Sequence, residues 1–353
     1  MSLKLGLNLG YWGIGPQGEE AAEIVRAAER AGFESVWAAE SYGSDVVSVL
    51  AYLAGKTETI RLGAAIMQVP ARPPAAAAMA GCTIDALSGG RFIFGFGPSG
   101  PQVSEGWYGI PYAKPWGRTR EYVEIVRRIV ARQDRLEYQG KHYTLPLPDG
   151  EGKALKLNIH PVRNEIPVFL AAIGRKSVEL TAEIADGWIP IFFSVDDWEK
   201  TWGEHLEAGF EKGGRGREDL EVSPTLNVAI DGDSDAARGI VKAGLLLYLG
   251  GMGSRKTNFY VDLACRFGFE EEAKRVQDLF LDGNREAAYE AIPDELVERT
   301  SMVGTEEEVA AKVARFQEAG IDRIIASVVQ TDPDERLHTI ERLAAMAGVG
   351  AAA

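Results

Sequence analysis

The run PVFLAAIGRKSVELTAEIADGW, residues 167–188, is the stretch that decides the fold. Residues 167–172 form a short apolar segment, which is typical of a strand buried in a parallel sheet. Gly174 interrupts this segment, and residues 177–185 then carry apolar side chains at helical spacing. A strand followed at once by a helix is the repeating unit of α/β folds, so this run predicts a chain built from such units.

The turn inside this run has the properties of a phosphate-binding turn. Ile173, Gly174, Arg175 and Lys176 follow Ala172 directly and come just before the predicted helix. A helix start leaves free backbone N–H groups, glycine permits close approach of a ligand, and two cations neutralise negative charge. The alternative is an ordinary strand–helix turn that binds nothing, because many such turns are empty.

Similar units recur from one end of the chain to the other. The predicted strands are 4–9, 35–39, 60–66, 92–96, 167–172, 187–191, 222–230 and 323–328. The predicted helices are 19–31, 46–57, 75–87, 119–132, 177–185, 196–212, 235–249 and 335–347. Eight strands, each followed by a helix, predict a (β/α)8 TIM barrel more than an open, doubly wound sheet.

Longer segments interrupt this alternation at about 97–117, 133–165 and 250–300. The first lies between the fourth strand and its helix. We expect the second to be a loop or hairpin over one mouth of the barrel, and the third to carry helical pieces between the seventh and eighth units. Insertions of this length often form a lid or a binding loop. No low-complexity linker divides the chain, so we expect one domain over residues 1–353.

Composition excludes several classes of protein. The chain of 353 residues is 46% hydrophobic and 25% charged, as expected of a globular enzyme, and its net charge of −14 argues against nucleic-acid binding. No apolar run reaches the roughly 20 residues that span a membrane. Cys82 and Cys265 lie far apart, and the four histidines form no metal-ligand pair. We expect a cytoplasmic enzyme that acts on a small organic molecule without a zinc site.

In a barrel of this kind, residues that follow the strands face the active site. Glu40, Ser41 and Tyr42 follow the second strand, Gln68 the third, and Gly97, Pro98 and Ser99 the fourth. Glu40 comes directly after a buried run, which disfavours its charged form and suits proton transfer. The alternative is a structural carboxylate that binds loop amides.

The triplet Gly95-Phe96-Gly97 is not a dinucleotide-binding fingerprint, because Pro98, Ser99 and Gly100 break the required spacing. Gly97 is better explained as a position where a flat ring lies against the backbone. Four aromatic residues crowd the loop that follows, and we expect them to pin the loop or to line an apolar pocket. They are Trp107, Tyr108, Tyr112 and Trp116.

Several segments together resemble one known family. With residues 167–188, they are VWAAESYGSD at 36–45, RLGAAIMQVPARPP at 61–74 and SGGRFIFGFGPSGPQ at 88–102. GGMGSRKTNFY at 250–260 and MVGTEEEV at 302–309 also agree. The chain resembles the luciferase-like superfamily of flavin and deazaflavin enzymes, in the branch that uses coenzyme F420. That branch includes methylenetetrahydromethanopterin reductase and F420-dependent dehydrogenases.

The resemblance implies an oxidoreductase that moves a hydride between coenzyme F420 and an organic substrate, in a homodimer or a higher homo-oligomer. It implies a non-prolyl cis peptide between Ala65 and Ile66. It also implies a set of cofactor-binding residues: Ser41, Ala65, Ile66, Gln68, Gly97, Pro98, Ser99, Ala172, Ile173, Gly174, Arg175 and Lys176. F420 relatives commonly carry an acid followed by histidine where this chain has Glu40 and Ser41, so Glu40 and Tyr42 are the catalytic candidates, with Glu105 next.

The anionic tail of coenzyme F420 requires a local basic patch in so acidic a chain. Arg175 and Lys176 are its core, and Arg72, Lys114 and Arg163 extend it unless they are ordinary surface charges. Three alternative functions stay open. They are an FMN-dependent luciferase-like monooxygenase, a non-catalytic cofactor-binding paralogue, and a TIM-barrel enzyme acting on sugar phosphates.

Overall fold

The computed structural model of the chain describes residues 3–12 and 16–350. Its strands are β1 (Lys4–Asn8), β2 (Ser35–Ala38), β3 (Arg61–Ala64), β4 (Met67–Gln68), β5 (Phe92–Gly97), β6 (Tyr138–Gln139), β7 (Thr144–Leu145), β8 (Val168–Leu170), β9 (Gly187–Trp188), β10 (Glu221–Val222), β11 (Thr225–Ile230), β12 (Ser301–Gly304) and β13 (Arg323–Val328).

The helices alternate with these strands over most of the chain. They are α1 (Gly18–Arg30), α2 (Val46–Ala54), α3 (Pro74–Leu87), α4 (Pro101–Ser104), α5 (Pro115–Ala131), α6 (Arg175–Ile184), α7 (Trp198–Gly213), α8 (Ser234–Leu246), α9 (Phe259–Arg266), α10 (Glu270–Leu281), α11 (Arg285–Glu290), α12 (Asp294–Thr300), α13 (Glu306–Glu318) and α14 (Pro333–Ala347). Across the described residues, no helix combines the length and the apolar character that crossing a membrane requires.

The main sheet is parallel and curled. Its strand order is β10-β9-β8-β5-β3-β2-β1-β13-β11-β12, with β4 beside β5. β10 and β11 are consecutive in the chain; β10 pairs with β9, and β11 pairs with β13. The segment that contains β10 and β11 therefore pairs with strands on both sides of the sheet. This pairing curls the sheet in the manner of a TIM barrel. The predicted α/β architecture with a parallel sheet is confirmed.

Two predicted strands are divided, and one strand was not predicted. The segment 60–66 becomes β3 and β4, and the Ala65–Ile66 peptide between them is cis, as the family resemblance implied. The segment 222–230 is divided near Pro224, which has no N–H to donate to a ladder. β12 pairs with β11 and was missed because its four residues carry no alternation that sets them apart from a loop.

The long segment 133–165 contains a hairpin, as predicted. Strands β6 and β7 pair antiparallel within it. The hairpin lies against helix α5, where the Glu121 carboxylate accepts hydrogen bonds from the amides of Lys141, His142 and Tyr143 at 2.7, 2.8 and 3.0 Å. The segment 250–300 carries α9 to α12, in agreement with the helical character expected of it.

The inside of the curled sheet is filled by a compact apolar cluster. Its buried members are Trp37, Ile93, Phe169, Ile189 and Ile325, with Ala65 and Ala171 packed against them. Glycines on the neighbouring strands make room for the two large rings. A Cβ at Gly63 would lie 2.2 Å from the Trp37 ring, and one at Gly187 would lie 2.4 Å from the Phe169 ring. The cluster forms a closed floor beneath the carboxyl ends of the strands.

Below this floor, at the start of the strands, lies a buried charge network. Arg323 is fully buried, and its guanidinium donates to Glu221 Oε1 at 2.8 Å, to Ser35 Oγ at 2.8 Å and to Glu34 Oε2 at 3.0 Å. Lys4 also donates to Glu221, at 3.1 Å. Burial alone would raise the pKa of Glu221, but these cations outweigh it and lower the pKa to about 2.

Candidate active site at the carboxyl ends of the strands

The turn after β8 directs its carbonyl groups into the protein. The carbonyl of Ala172 accepts a hydrogen bond from Trp188 Nε1 at 2.8 Å, and that of Ile173 accepts one from Trp202 Nε1 at 2.9 Å. Both indoles are fully buried. Because these carbonyl oxygens point toward the buried indoles, they do not repel an anion that approaches the opposite face of the turn.

The same turn offers unpaired backbone donors. Helix α6 begins at Arg175, and its N-cap Gly174 has no side chain with which to cap it. Within the described residues, the amides of Gly174, Arg175, Lys176 and Ser177 have no hydrogen-bond acceptor. Free N–H groups at a helix start, combined with the positive end of the helix dipole, form a site that fits a phosphate group.

Three cations surround this turn, one of which was not predicted. Arg175 and Lys176 are exposed, and in the described part of the chain neither side chain has a partner within hydrogen-bond distance. Arg266, the last residue of α9, donates to the Ile173 carbonyl at 3.2 Å. Burial lowers the pKa of Arg266, and the charge of Arg175 lowers it further, while Asp262 partly offsets both effects. Like charges held together in this way favour the binding of an anion.

Small side chains line the inside of the sheet beside this turn. Ala65, Ile66 and Ala171 are half-buried, whereas Trp37 and Phe169 beneath them are buried. A Cβ at Gly97 would lie 2.5 Å from Ile66 Cδ1 and 3.7 Å from the Ala171 side chain, so these residues meet at one place. We call Ala65, Ile66, Gly97 and Ala171, which lie above the floor, the cup.

Glu40 is bound on both of its oxygens. Arg72 donates to Glu40 Oε1 at 3.1 Å and to Oε2 at 2.7 Å. The amides of Val46 and Gln68 lie 3.3 Å from the same carboxylate. This bidentate, buried pair matches the alternative of a structural carboxylate, because every lone pair available for proton transfer already faces a donor.

The Arg72 guanidinium is the partner that sequence reasoning did not assign to Glu40. Burial lowers the pKa of Arg72, but its bonds to Glu40 and the charge of Asp45 outweigh this, and the net pKa is raised. Asp45 Oδ1 lies 3.1 Å from the guanidinium. Arg72 therefore serves this pair and does not extend the basic patch.

Gln68, Ser41 and Ser99 come together around Tyr108. The amide of buried Gln68 donates to Ser99 Oγ at 2.8 Å, and its carbonyl accepts from the Tyr108 hydroxyl at 3.1 Å. The same hydroxyl lies 3.3 Å from the Ser41 carbonyl. These bonds attach the loop that follows β5 to the ends of β2 and β4, so Tyr108 pins the loop as one of the sequence alternatives expected.

The remaining candidates lie outside these groups. Tyr42 is 60% exposed, and its ring lies 6.5 Å from that of Trp107. Glu105 is exposed and accepts the amide hydrogen of Tyr112 at 2.9 Å. Pro98 is buried.

The other two proposed extensions of the basic patch stay apart from the turn. Arg163 forms an ion pair with Asp85 and also donates to the carbonyl of Phe92, at the start of β5. Arg163 is therefore a structural cation at the opposite end of the strand. Lys114 is exposed in the loop before α5.

Comparison with known proteins gives a consistent result. Residues 9–323 match the family model described as luciferase-like monooxygenase. A Mycobacterium tuberculosis protein provisionally named a coenzyme F420-dependent oxidoreductase is 46% identical over 331 residues, which cover 92% of this chain and 95% of that protein. The 5,10-methylenetetrahydromethanopterin reductase of Archaeoglobus fulgidus is 28% identical over 313 residues, or 87% of this chain and 89% of that protein.

The fold agrees with these sequence matches. The structure of the coenzyme F420-dependent tetrahydromethanopterin reductase from Methanopyrus kandleri superposes with a TM-score of 0.83 at 23% identity, over 98% of each chain. The family match covers most of the chain, and a relative well above 30% identity is aligned over nearly all of it. The chain therefore belongs to the luciferase-like monooxygenase family.

Proposed function

We propose that this protein is a coenzyme F420-dependent oxidoreductase that transfers a hydride between the cofactor and an organic substrate. One observation carries the proposal. The turn after β8 combines free amides with Arg175, Lys176 and Arg266 beside a cup lined by small side chains. The name of the Mycobacterium relative supports the choice of F420 over FMN.

The chemistry of the donor groups suits the two parts of this cofactor. Phosphate and the oligoglutamate tail are anionic, so they belong at the Gly174 turn with its three cations. The flat ring belongs against the cup formed by Ala65, Ile66, Gly97 and Ala171, which presents an apolar surface to it. When bound, F420 supplies the hydride chemistry, and the protein contributes binding, orientation and exclusion of water.

In this proposal Ser41, Gln68 and Ser99 form the polar edge of the cup. Their positions are set by Tyr108, whose hydroxyl contacts both Gln68 and Ser41. Glu40 acts by holding Arg72 and the amide of Gln68, and thereby keeps this edge in place. A role for Glu40 or Tyr42 in moving a proton stays a prediction.

We also propose the finer architecture that the sequence predicts. The β/α units form one (β/α)8 barrel with insertions after its fourth and seventh strands. Strand pairing supports this arrangement. β9 pairs with β10 and β13 pairs with β11, and β10 and β11 belong to one continuous segment of the chain.

The test is a binding titration of the purified apo-protein with F420 and with FMN, in which the fluorescence of the cofactor reports binding. We expect saturable F420 binding and FMN binding at least tenfold weaker, followed by oxidation of reduced F420 in a screen of carbonyl substrates. Tight FMN binding with oxygen-dependent turnover would instead establish a monooxygenase. F420 binding without turnover on any substrate would point to a non-catalytic paralogue.

A further inference from the structure

An aromatic cluster stands at the strand ends and has no part in the cofactor turn. Phe192 follows Ile191, which bridges to Thr225 of β11. The Phe192 ring centroid lies 5.4 Å from that of Tyr248 and 5.4 Å from that of Tyr260. The two tyrosine rings are 4.9 Å apart in an edge-to-face arrangement. Three separate segments thus meet in one aromatic contact.

A single buried side chain holds the two tyrosine segments together. Asn258 is 4% exposed, and its Nδ2 donates to the carbonyls of Leu249 at 2.9 Å and Tyr248 at 3.3 Å. Its Oδ1 accepts from the amides of Tyr260 at 2.9 Å and Val261 at 3.2 Å. The Asn258 side-chain amide thus donates two hydrogen bonds and accepts two, and these four bonds fix the positions of Tyr248 and Tyr260.

Tyr248 and Tyr260 are half-buried, so part of each side chain remains open to a ligand. The Phe192 ring contacts both of them. We call Phe192, Tyr248 and Tyr260 the tyrosine wall.

The tyrosine wall is uncharged and keeps free hydrogen-bond donors. Burial raises the pKa of both phenols, so both are protonated at neutral pH. No described charged side chain forms a hydrogen bond or a cation–π contact with Tyr248 or Tyr260. In the described residues, the hydroxyls of Tyr248 and Tyr260 have no hydrogen-bond partner.

On the basis of the proposed function, we propose that the tyrosine wall binds an uncharged, flat carbonyl compound such as an aromatic ketone or a quinone. Ring faces contact the flat body of the substrate, and the free hydroxyls donate to its oxygen. A carboxylate or phosphate placed here would lose hydration without meeting a cation, which is costly. The cations of the site lie at the Gly174 turn instead, where they suit the cofactor.

The test compares 2-acetylnaphthalene with 2-naphthoate, which share a ring system and differ in charge. Calorimetry measures the affinity of both probes for the F420-saturated protein and for the apo-protein. We expect the ketone to bind at least tenfold more tightly than the carboxylate. Tyr248→Ala should weaken ketone binding at least tenfold and Tyr260→Phe at least threefold, with F420 affinity unchanged. Tyr138→Phe is the control, because that hydroxyl bonds Glu124 beside the hairpin.

Equal or tighter binding of naphthoate would overturn the proposal, as would ketone affinity that is unaffected by both variants. The two proposals fail separately in this design. Ketone binding that depends on Tyr248 in a protein with no affinity for F420 would refute the cofactor assignment and leave the tyrosine wall standing. F420 binding without discrimination between the probes would refute the tyrosine wall alone.

Discussion

Replacing Glu40 by Gln separates a structural carboxylate from a proton relay. The Glu40 side chain is 4% exposed and that of Arg72 is 16% exposed, so the change leaves a largely buried guanidinium without its main partner. Removing one partner of a buried ion pair costs about 3–5 kcal/mol. Asp45 still lies 3.1 Å from Arg72, and the Gln carbonyl still accepts one hydrogen bond. We therefore expect the free energy of unfolding to fall by about 3 kcal/mol.

Urea unfolding followed by fluorescence measures this loss, and turnover and F420 affinity are measured on the same samples. We expect stability and F420 affinity to fall together. Asp45→Asn is the matched control, since it breaks the exposed contact to Arg72 but retains an N-cap for α2, where Asp45 accepts from Ser48. Its cost should stay within about 1 kcal/mol. If Glu40→Gln leaves stability unchanged and turnover drops roughly 10²–10⁴-fold, Glu40 is the relay and the structural argument is wrong.

Other predictions address the turn and the buried charges. Gly174 has a φ of −83°, and an added Cβ would approach nothing closer than Ser177 Oγ at 3.3 Å. Gly174→Val should therefore fold normally yet bind F420 at least tenfold more weakly, a change of about 1.4 kcal/mol that fluorescence titration detects, and an unchanged Kd would remove the site. F420 affinity should fall between 0.05 and 0.5 M salt, on the order of several-fold, and less steeply in Arg266→Gln; a flat response would mean that these cations do not meet the ligand. Because folding lowers the pKa of Glu221 from 4.5 to about 2, its contribution is complete above pH 4.5 and disappears as the pH falls toward 2. Across that range wild-type stability should fall by roughly 3 kcal/mol more than that of Glu221→Gln in urea titrations, and parallel curves would contradict this.

The parts of the structure that local signals determine were predictable. The strand that ends at Leu170, the turn at Gly174 and the helix that follows can be read from one apolar run, one glycine and one helical period. Those signals depend on residues a few positions apart, so they need no knowledge of the tertiary structure. The cis peptide is different, because only the family resemblance pointed to it.

The chemistry of the site depends on partners that the fold brings together. Arg266 reaches the Ile173 carbonyl across 93 positions of sequence, from an insertion whose place in the fold the sequence does not indicate. The burial of Glu40 was predictable from the strand before it, but its pairing with Arg72, 32 positions later, was not. Likewise, nothing in the sequence of 250–300 indicates that Asn258 joins the backbones of Tyr248 and Tyr260.

The two indoles behind the turn bear on protein engineering. A designer who transplants residues 172–177 into another scaffold would carry over the amides and two of the cations. The hydrogen bonds that orient the Ala172 and Ile173 carbonyls come from Trp188 and Trp202, which lie 16 and 29 positions away. A portable version of this anion-binding element must therefore include the next strand and the first part of α7, and its minimal unit is a supersecondary fragment of about 35 residues rather than a loop.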